Sequence, residues 1–170
     1  ARVLWREAIT QTDELVTALL PKNNIPWATA VLGDAGSFGE ADRYSDEALA
    51  AAPDADLVKG TRGAVLARLG RGEEAVPLLM AGLSAPTSPS RQYTKCFLAR
   101  ALTLAGRREE ARRALEEARG LDATCALIPW VEAGLDGQGL APGAAQMSLN
   151  EPARSAIPDA TARAAALRLW

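Results

Sequence analysis

Apolar residues recur along most of the chain at three- and four-residue steps, which is the spacing of amphipathic helices. The first such stretch covers residues 3–20, and Pro21 followed by Asn23 predicts its end. The strict alternation of apolar and polar residues that marks β-strands is absent, and the one β-like run, residues 28–32, lies inside a helical frame. The pattern therefore predicts an all-α fold.

Turn and cap residues divide the rest of the chain into further helices. The predicted helices cover residues 25–35, 40–52, 57–69, 73–83, 91–105, 108–120, 124–135 and 158–169. Gly36 and Gly70 are expected to close two of them, because glycine tolerates the left-handed backbone at a helix C-terminus. Asp56 is a candidate N-cap. Residues 136–150 lack a period and are expected to form a loop or a loosely packed extension.

One short motif returns along the chain and suggests a repeat. The stretch from Leu69 to Ala75 comes back around Gly106, which stands 36 positions after Gly70, and a looser copy surrounds Gly36, 34 positions before it. A period close to 34 residues is typical of helical repeat proteins.

In this register the chain resembles the tetratricopeptide repeat (TPR) family, whose units are helix–turn–helix modules of roughly 34 residues. Each unit of that family has six characteristic positions. In chain order they favour a small residue, a large residue, glycine, alanine, a large residue and a small residue. The second unit supplies Gly63, Leu66, Gly70, Ala75, Leu79 and Gly82 there, and the third supplies Ala99, Leu102, Gly106, Ala111, Leu115 and Ala118. The first unit keeps Leu32, Gly36, Ala41, Ala48 and the late-unit Pro53, but departs from the pattern at Thr29 and Ser45.

The resemblance implies antiparallel helix–turn–helix repeats stacked as a short right-handed superhelix, with flanking helices that cap its ends. The implied divisions are an N-terminal helix and probable half repeat at 1–21, three units at 22–55, 56–91 and 92–127, and a C-terminal capping helix, loop and terminal helix at 128–170. The terminal helix either packs on the array or docks on a second copy, which would make a homodimer.

The resemblance also implies a concave groove, lined by the first helix of each unit, that binds a protein or peptide partner. Carried over by register, the partner-binding positions are Asn23, Trp27, Asp34, Thr61, Arg68, Tyr93, Phe97 and Arg100. Some family members clamp a peptide carboxylate with lysine and asparagine, but Pro26, Gly60 and Cys96 stand at the corresponding places here.

Aromatic and arginine side chains usually carry binding energy, so the groove favours a partner with apolar and acidic character. Two alternatives remain open. Trp27 and Phe97 could belong to the core between units, and Arg68 and Arg100 could be solvated or paired with local carboxylates.

Charge and composition argue against several other functions. The net charge of −2 provides no long-range field for nucleic acid or anionic lipid. The arginines among residues 107–113 are interleaved with acids, which favours a solvated helix face. No stretch is long and apolar enough to span a bilayer.

The side-chain inventory predicts neither a metal nor a cofactor, and it predicts no enzymatic activity. The chain has no histidine, the commonest general base and metal ligand, and no Gly-rich phosphate loop. The pairs Glu73–Glu74 and Glu109–Glu110 start helices, where the helix dipole favours acids. A single Cys96–Cys125 disulfide remains an open alternative.

These observations favour a protein-interaction scaffold or adaptor. The alternative is a regulatory or targeting domain of a longer enzyme or membrane protein, because the chain begins with Ala1 rather than Met and opens on half a unit. Arginine outnumbers lysine 16 to 3, which we interpret as a genomic coding bias of a bacterial source. A cytoplasmic location is expected, with a periplasmic or membrane-attached one left open.

Overall fold

The computed structural model describes residues 19–33, 35–84 and 90–137. Within these ranges the chain is helical and contains no strand, so the all-α prediction is confirmed. The predictions for residues 3–18, for residues 138–150 and for the terminal helix at 158–169 lie outside the described residues.

Seven α-helices make up the described chain. They are α1 (19–32), α2 (Phe38–Ala51), α3 (Asp56–Arg68), α4 (Gly72–Gly82), α5 (Arg91–Leu104), α6 (Arg108–Leu121) and α7 (Ile128–Leu135). The bounds of α2 to α6 agree with the predicted bounds to within two residues. Periodicity and caps therefore locate these five helices well.

The first described helix differs from its prediction at both ends. Residues 19–32 are helical through Pro21 and Asn23, where a helix end was predicted. Asn23 is buried, as are other side chains of α1, and this tertiary packing outweighs the local breaking tendency of proline. The helix closes at Gly33, whose φ is +72°, and not at Gly36. The Gly33 N–H donates to the Thr29 carbonyl oxygen at 2.9 Å.

Two later helices end in the same way as each other. Gly70 after α3 has φ +82° and Gly106 after α5 has φ +74°. In both cases the next residue is an arginine whose N–H reaches back to a carbonyl of the last turn: Arg71 N to Leu66 O at 2.9 Å, and Arg107 N to Leu102 O at 2.8 Å. This is a Schellman closure, and it confirms the helix end predicted at Gly70, with Gly106 in the equivalent place of the repeated motif.

Two other predicted helix starts need correction. Asp56 is the first residue of α3 and caps nothing; its carboxylate accepts a hydrogen bond from the Ser84 hydroxyl at 2.5 Å. Helix α7 begins at Ile128 and not at Thr124. Asp122 accepts a hydrogen bond from the Thr124 N–H at 2.8 Å, which favours a turn before the helix.

Helices α3 and α5 form the centre of the fold. Helix α3 packs against α2, α4 and α5, while α5 also packs against α6 and α7. Ten of the thirteen residues of α3 are buried, and nine of the fourteen in α5. Helix α6 instead buries one stripe and exposes its charged face, so it belongs to an outer layer.

Glycines allow α3 and α4 to cross closely. A Cβ atom on Gly82 would lie 2.6 Å from the Gly60 Cα, and one on Gly63 would lie 2.6 Å from the Leu79 Cγ. Gly63 and Gly82, which stand at small-residue places of the family pattern, are therefore required at this crossing.

Candidate interaction site

The predicted groove residues are mostly inside the molecule. Asn23, Thr61, Arg68, Phe97 and Arg100 are buried, and Trp27 and Tyr93 are partly buried against the core. Asp34 lies outside the described residues. Phe97 belongs to the core, which was the alternative to a groove position, because its side chain is fully buried.

Four of these residues meet in one place. We call them, together with Trp130, the cation–aromatic cluster: Trp27, Arg68, Phe97, Arg100 and Trp130. The rings pack edge to face in a row, with centroids 5.8 Å apart for Trp27 and Phe97 and 5.9 Å apart for Phe97 and Trp130. Such pairs add to the stabilisation from area burial alone. The cluster joins α1, α3, α5 and α7.

Arg68 ties α3 to the end of α1. Its Nε donates to the Ala30 carbonyl oxygen at 2.7 Å, and its Nη2 donates to the Val31 carbonyl oxygen at 3.3 Å. Both acceptors are among the last carbonyls of α1, which lack helical partners and carry the negative end of the helix dipole. Arg68 is therefore held by backbone and not solvated.

The same guanidinium lies on aromatic faces. Its carbon is 3.8 Å from the Trp130 ring centroid and 5.7 Å from that of Phe97. Burial, followed by the nearby charge of Arg100, lowers the pKa of Arg68 to about 10. The group stays a cation at neutral pH, since cation–π contact and the α1 carbonyls offset part of the cost of desolvation.

Arg100 approaches the same indole from α5. Its guanidinium carbon is 5.4 Å from the Trp130 centroid, and burial lowers its pKa. Gly134 of α7 leaves the space for it, because a Cβ at that position would collide with the Arg100 guanidinium. The absence of a side chain at residue 134 thus positions an arginine on the neighbouring helix.

The arrangement places two arginine forks at one aromatic surface. Planar guanidinium groups recognise carboxylates through paired N–H donors, and they do so more strongly away from bulk water. The described residues contain no group of three side chains suited to hold a metal ion. The cluster thus combines two cations with three aromatic rings in the interior of the described helices.

Trp130 was not assigned to the site by the sequence. Its helix was expected to cover the back of the third unit, and Trp130 does pack there, but its ring also receives both arginines. Gly137, after α7, has a positive φ, as have the glycines after α1, α3 and α5. That glycine was the available sequence signal for the end of α7.

Arg62 is a second buried cation of α3, but its role is structural. Its Nη1 donates to the Asp42 carboxylate at 2.5 Å and to the Ser45 hydroxyl at 3.0 Å, which links α3 to α2. Because a carboxylate already occupies this guanidinium, we leave Arg62 out of the candidate site.

Several of the paired carboxylates and of the arginines among residues 107–113 form local ion pairs at the surface. Arg71 donates two hydrogen bonds to the Glu74 carboxylate, at 2.8 and 2.6 Å. Arg107 likewise donates two to the Glu110 carboxylate, at 2.8 and 2.7 Å. Arg112 pairs with Glu109. These charges neutralise one another at the start of α4 and α6.

Large apolar side chains are exposed on both α3 and α4. On α3, Leu57 is 52% exposed, and on α4 Met80 is 57% exposed.

Within the described ranges, no helix combines the length and apolar character that a membrane span requires. No protein-family model, curated protein or solved structure matches the chain.

Proposed function

We propose that the chain is a TPR-type interaction module that binds a protein or peptide partner on the side of its first helices. It acts without catalysis of its own. The observation that carries the proposal is the convergence of α1, α3, α5 and α7 on two arginines and a row of aromatic rings.

The TPR-type part of the proposal rests on repetition in three dimensions. The pairs α3–α4 and α5–α6 share the same glycine closure and the same arginine–glutamate pair. Second helices also pack on the first helix of the following pair, as α2 does on α3, α4 on α5 and α6 on α7. Stacked helix pairs of this kind commonly present their first helices to a ligand.

The partner would approach where the first helices reach the surface. Leu57 at the start of α3 offers a large exposed apolar side chain, and Tyr93 near the start of α5 is half-buried. Arg68, the last residue of α3, and Arg100, in the second half of α5, lie further along the same helices and are buried. Guanidinium groups favour a carboxylate-bearing partner. The partner is therefore expected to place an apolar group at Leu57 and to carry acidic groups.

The test is capture with the purified full chain, followed by titration of each captured protein in purified form. Leu57→Asp should weaken binding of the partner at least tenfold. The control is Met80→Asp, since Met80 is similarly exposed but lies on α4, and it should leave binding unchanged. Arg100→Lys keeps the charge but loses the planar fork, and should also weaken binding.

Circular dichroism and thermal unfolding would verify that each variant is folded. If the Leu57→Asp and Met80→Asp variants bound every captured protein with equal affinity, the proposal that the partner binds on the side of α3 would be wrong. Binding that strengthens as salt is added would contradict an acidic partner, since screening weakens charge pairs.

A further inference from the structure

The two cysteines of the chain lie together in the core although 29 positions separate them. Cys96 belongs to α5, and Cys125 lies in the connection between α6 and α7. Their Sγ atoms are 3.8 Å apart, and both are free thiols with buried side chains. A disulfide bond is about 2.05 Å long, so the sulfurs need to approach by about 1.8 Å to form one.

The two thiols differ in environment. The two sulfurs are within hydrogen-bonding distance, and either thiol can be the donor. Hydrogen bonding with Cys96 and with the Leu127 backbone N–H lowers the pKa of Cys125. The hydrogen bond with Cys125, followed by burial, raises the pKa of Cys96. Leu127 is the residue immediately before α7, and amides at a helix start stabilise a thiolate. Tyr93 and Asp122 are the other titratable groups that face the pair.

We propose that Cys96 and Cys125 form a reversible disulfide that fastens the start of α7 to α5. The oxidant is a hydroperoxide. The Cys125 thiolate attacks one peroxide oxygen, the O–O bond breaks, and the leaving oxygen takes a proton, which converts Cys125 to a sulfenic acid. The Cys96 sulfur then attacks the Cys125 sulfur, the S–O bond breaks, and hydroxide leaves as water with the Cys96 proton.

The oxidation of the two thiols by the peroxide balances in electrons. The two protein thiols together lose two electrons, and the peroxide gains them as its oxygens become water and an alcohol or a second water. A dithiol reverses the change by exchange, in which its own sulfurs become a disulfide and both protein thiols return.

The disulfide would act on the cation–aromatic cluster. Cys125 comes shortly before α7, the helix that carries Trp130, and α7 packs directly on α5. A covalent link at this point holds the indole over Arg68 and Arg100, while the dithiol form leaves α7 attached by packing and by the Arg119–Glu132 ion pair to α6. This inference does not depend on partner binding.

The test compares the full chain after stoichiometric hydrogen peroxide with the same chain in dithiothreitol. Iodoacetamide labelling in denaturant, with intact mass and peptide mapping, should find both cysteines blocked after peroxide and both labelled after dithiothreitol. The oxidised chain should unfold about 10 °C higher, because the bond closes a loop of this length in the unfolded state. Amide exchange in residues 128–135 should slow at least tenfold.

The control is the double variant Cys96→Ala with Cys125→Ala, in which peroxide should change neither the melting temperature nor the exchange rates. The proposal fails if peroxide leaves both cysteines of the wild type open to labelling. It also fails if the disulfides join two chains, or if exchange in α7 is the same in both redox states.

Discussion

The guanidinium carbon of Arg68 lies 3.8 Å from the centroid of the Trp130 ring, so that α3 and α7 meet through a buried cation and an indole. Burial of a charge normally requires a partner of opposite sign. Here the partners are the ring and the Ala30 and Val31 carbonyl oxygens at the end of α1. Each of these three helices therefore depends on the other two at this point.

Replacement of Trp130 should disturb the whole cluster. Trp130→Ala removes a buried ring and deprives Arg68 of its cation–π contact, and should lower the free energy of unfolding by about 3–5 kcal/mol. Trp130→Phe retains an aromatic face and should cost about 1 kcal/mol. Urea unfolding measures both. Leu121→Ala, at a half-exposed site of α6, serves as the control and should change stability by no more than about 0.5 kcal/mol. Equal costs for Trp130→Ala and Leu121→Ala would contradict this account.

The close crossing of α3 and α4 gives a matched pair of glycine substitutions. Gly82→Ala brings a methyl group into the Gly60 backbone and should destabilise the fold by about 1–3 kcal/mol. Gly120→Ala, in α6, meets no atom within 4 Å and should stabilise by up to about 1 kcal/mol through helix propensity. Thermal unfolding of the two variants should thus move in opposite directions. Shifts of the same sign would show that the crossing is looser than the structure indicates.

The closure of α1 at Gly33 is open to a similar test. Gly33→Ala forces a side chain into a left-handed backbone and should cost about 1–2 kcal/mol. Gly39→Ala, in the first turn of α2 with no atom near its Cβ, should be neutral or stabilising. Chemical denaturation distinguishes them, and a neutral Gly33→Ala would restore Gly36 as the residue that ends the helix.

The repeated arginine–glutamate pairs predict an acid-side effect. Hydrogen bonding to Arg71 lowers the pKa of Glu74, and Arg107 does the same for Glu110, both from an ordinary 4.5. A carboxyl group whose pKa is lower in the folded state stabilises the fold above its unfolded pKa. That contribution is lost as the pH falls through the folded pKa. Stability should therefore decline below about pH 4.5.

Carboxyl chemical shifts followed by NMR would measure these pKa values directly. In Arg71→Gln the pKa of Glu74 should rise toward 4.5 while that of Glu110 stays low, and Arg107→Gln should do the reverse. Arg112→Gln, whose partner is Glu109, should leave both unchanged. If neither pKa moved in its own variant, the two-bond pairs would not persist in solution.

Helix positions could be predicted from the sequence because they depend on local chemistry. Gly70 and Gly106 mark helix ends through backbone geometry that few other residues adopt, and the stripe of α6 follows from its own period. Gly33 was missed for the opposite reason. The repeat length pointed to Gly36, and only the packing of α1 shows that its helix closes three residues earlier.

The interior of the site could not be predicted in this way. Arg68 and Arg100 carry charge, so the sequence favours exposure, yet both are buried by helices that are remote in the chain. The position of Trp130 over them follows from the path of α7, and Gly134 matters only because Arg100 lies beside it. These relationships arise from tertiary contacts that the residues on either side do not encode.

The duplicated turn after α3 and α5 also makes the chain a template for its own extension. Gly70 and Gly106 stand 36 positions apart, and each is followed by the same arginine–glutamate pair. An inserted copy of one helix pair between α4 and α5 would carry its own glycine closure and arginine–glutamate pair, so the turn between its two helices should form as it does now. Its packing against α3 or α5 would be a contact that the described residues do not contain, and the stability of such a chain would measure how far the turn alone determines the fold.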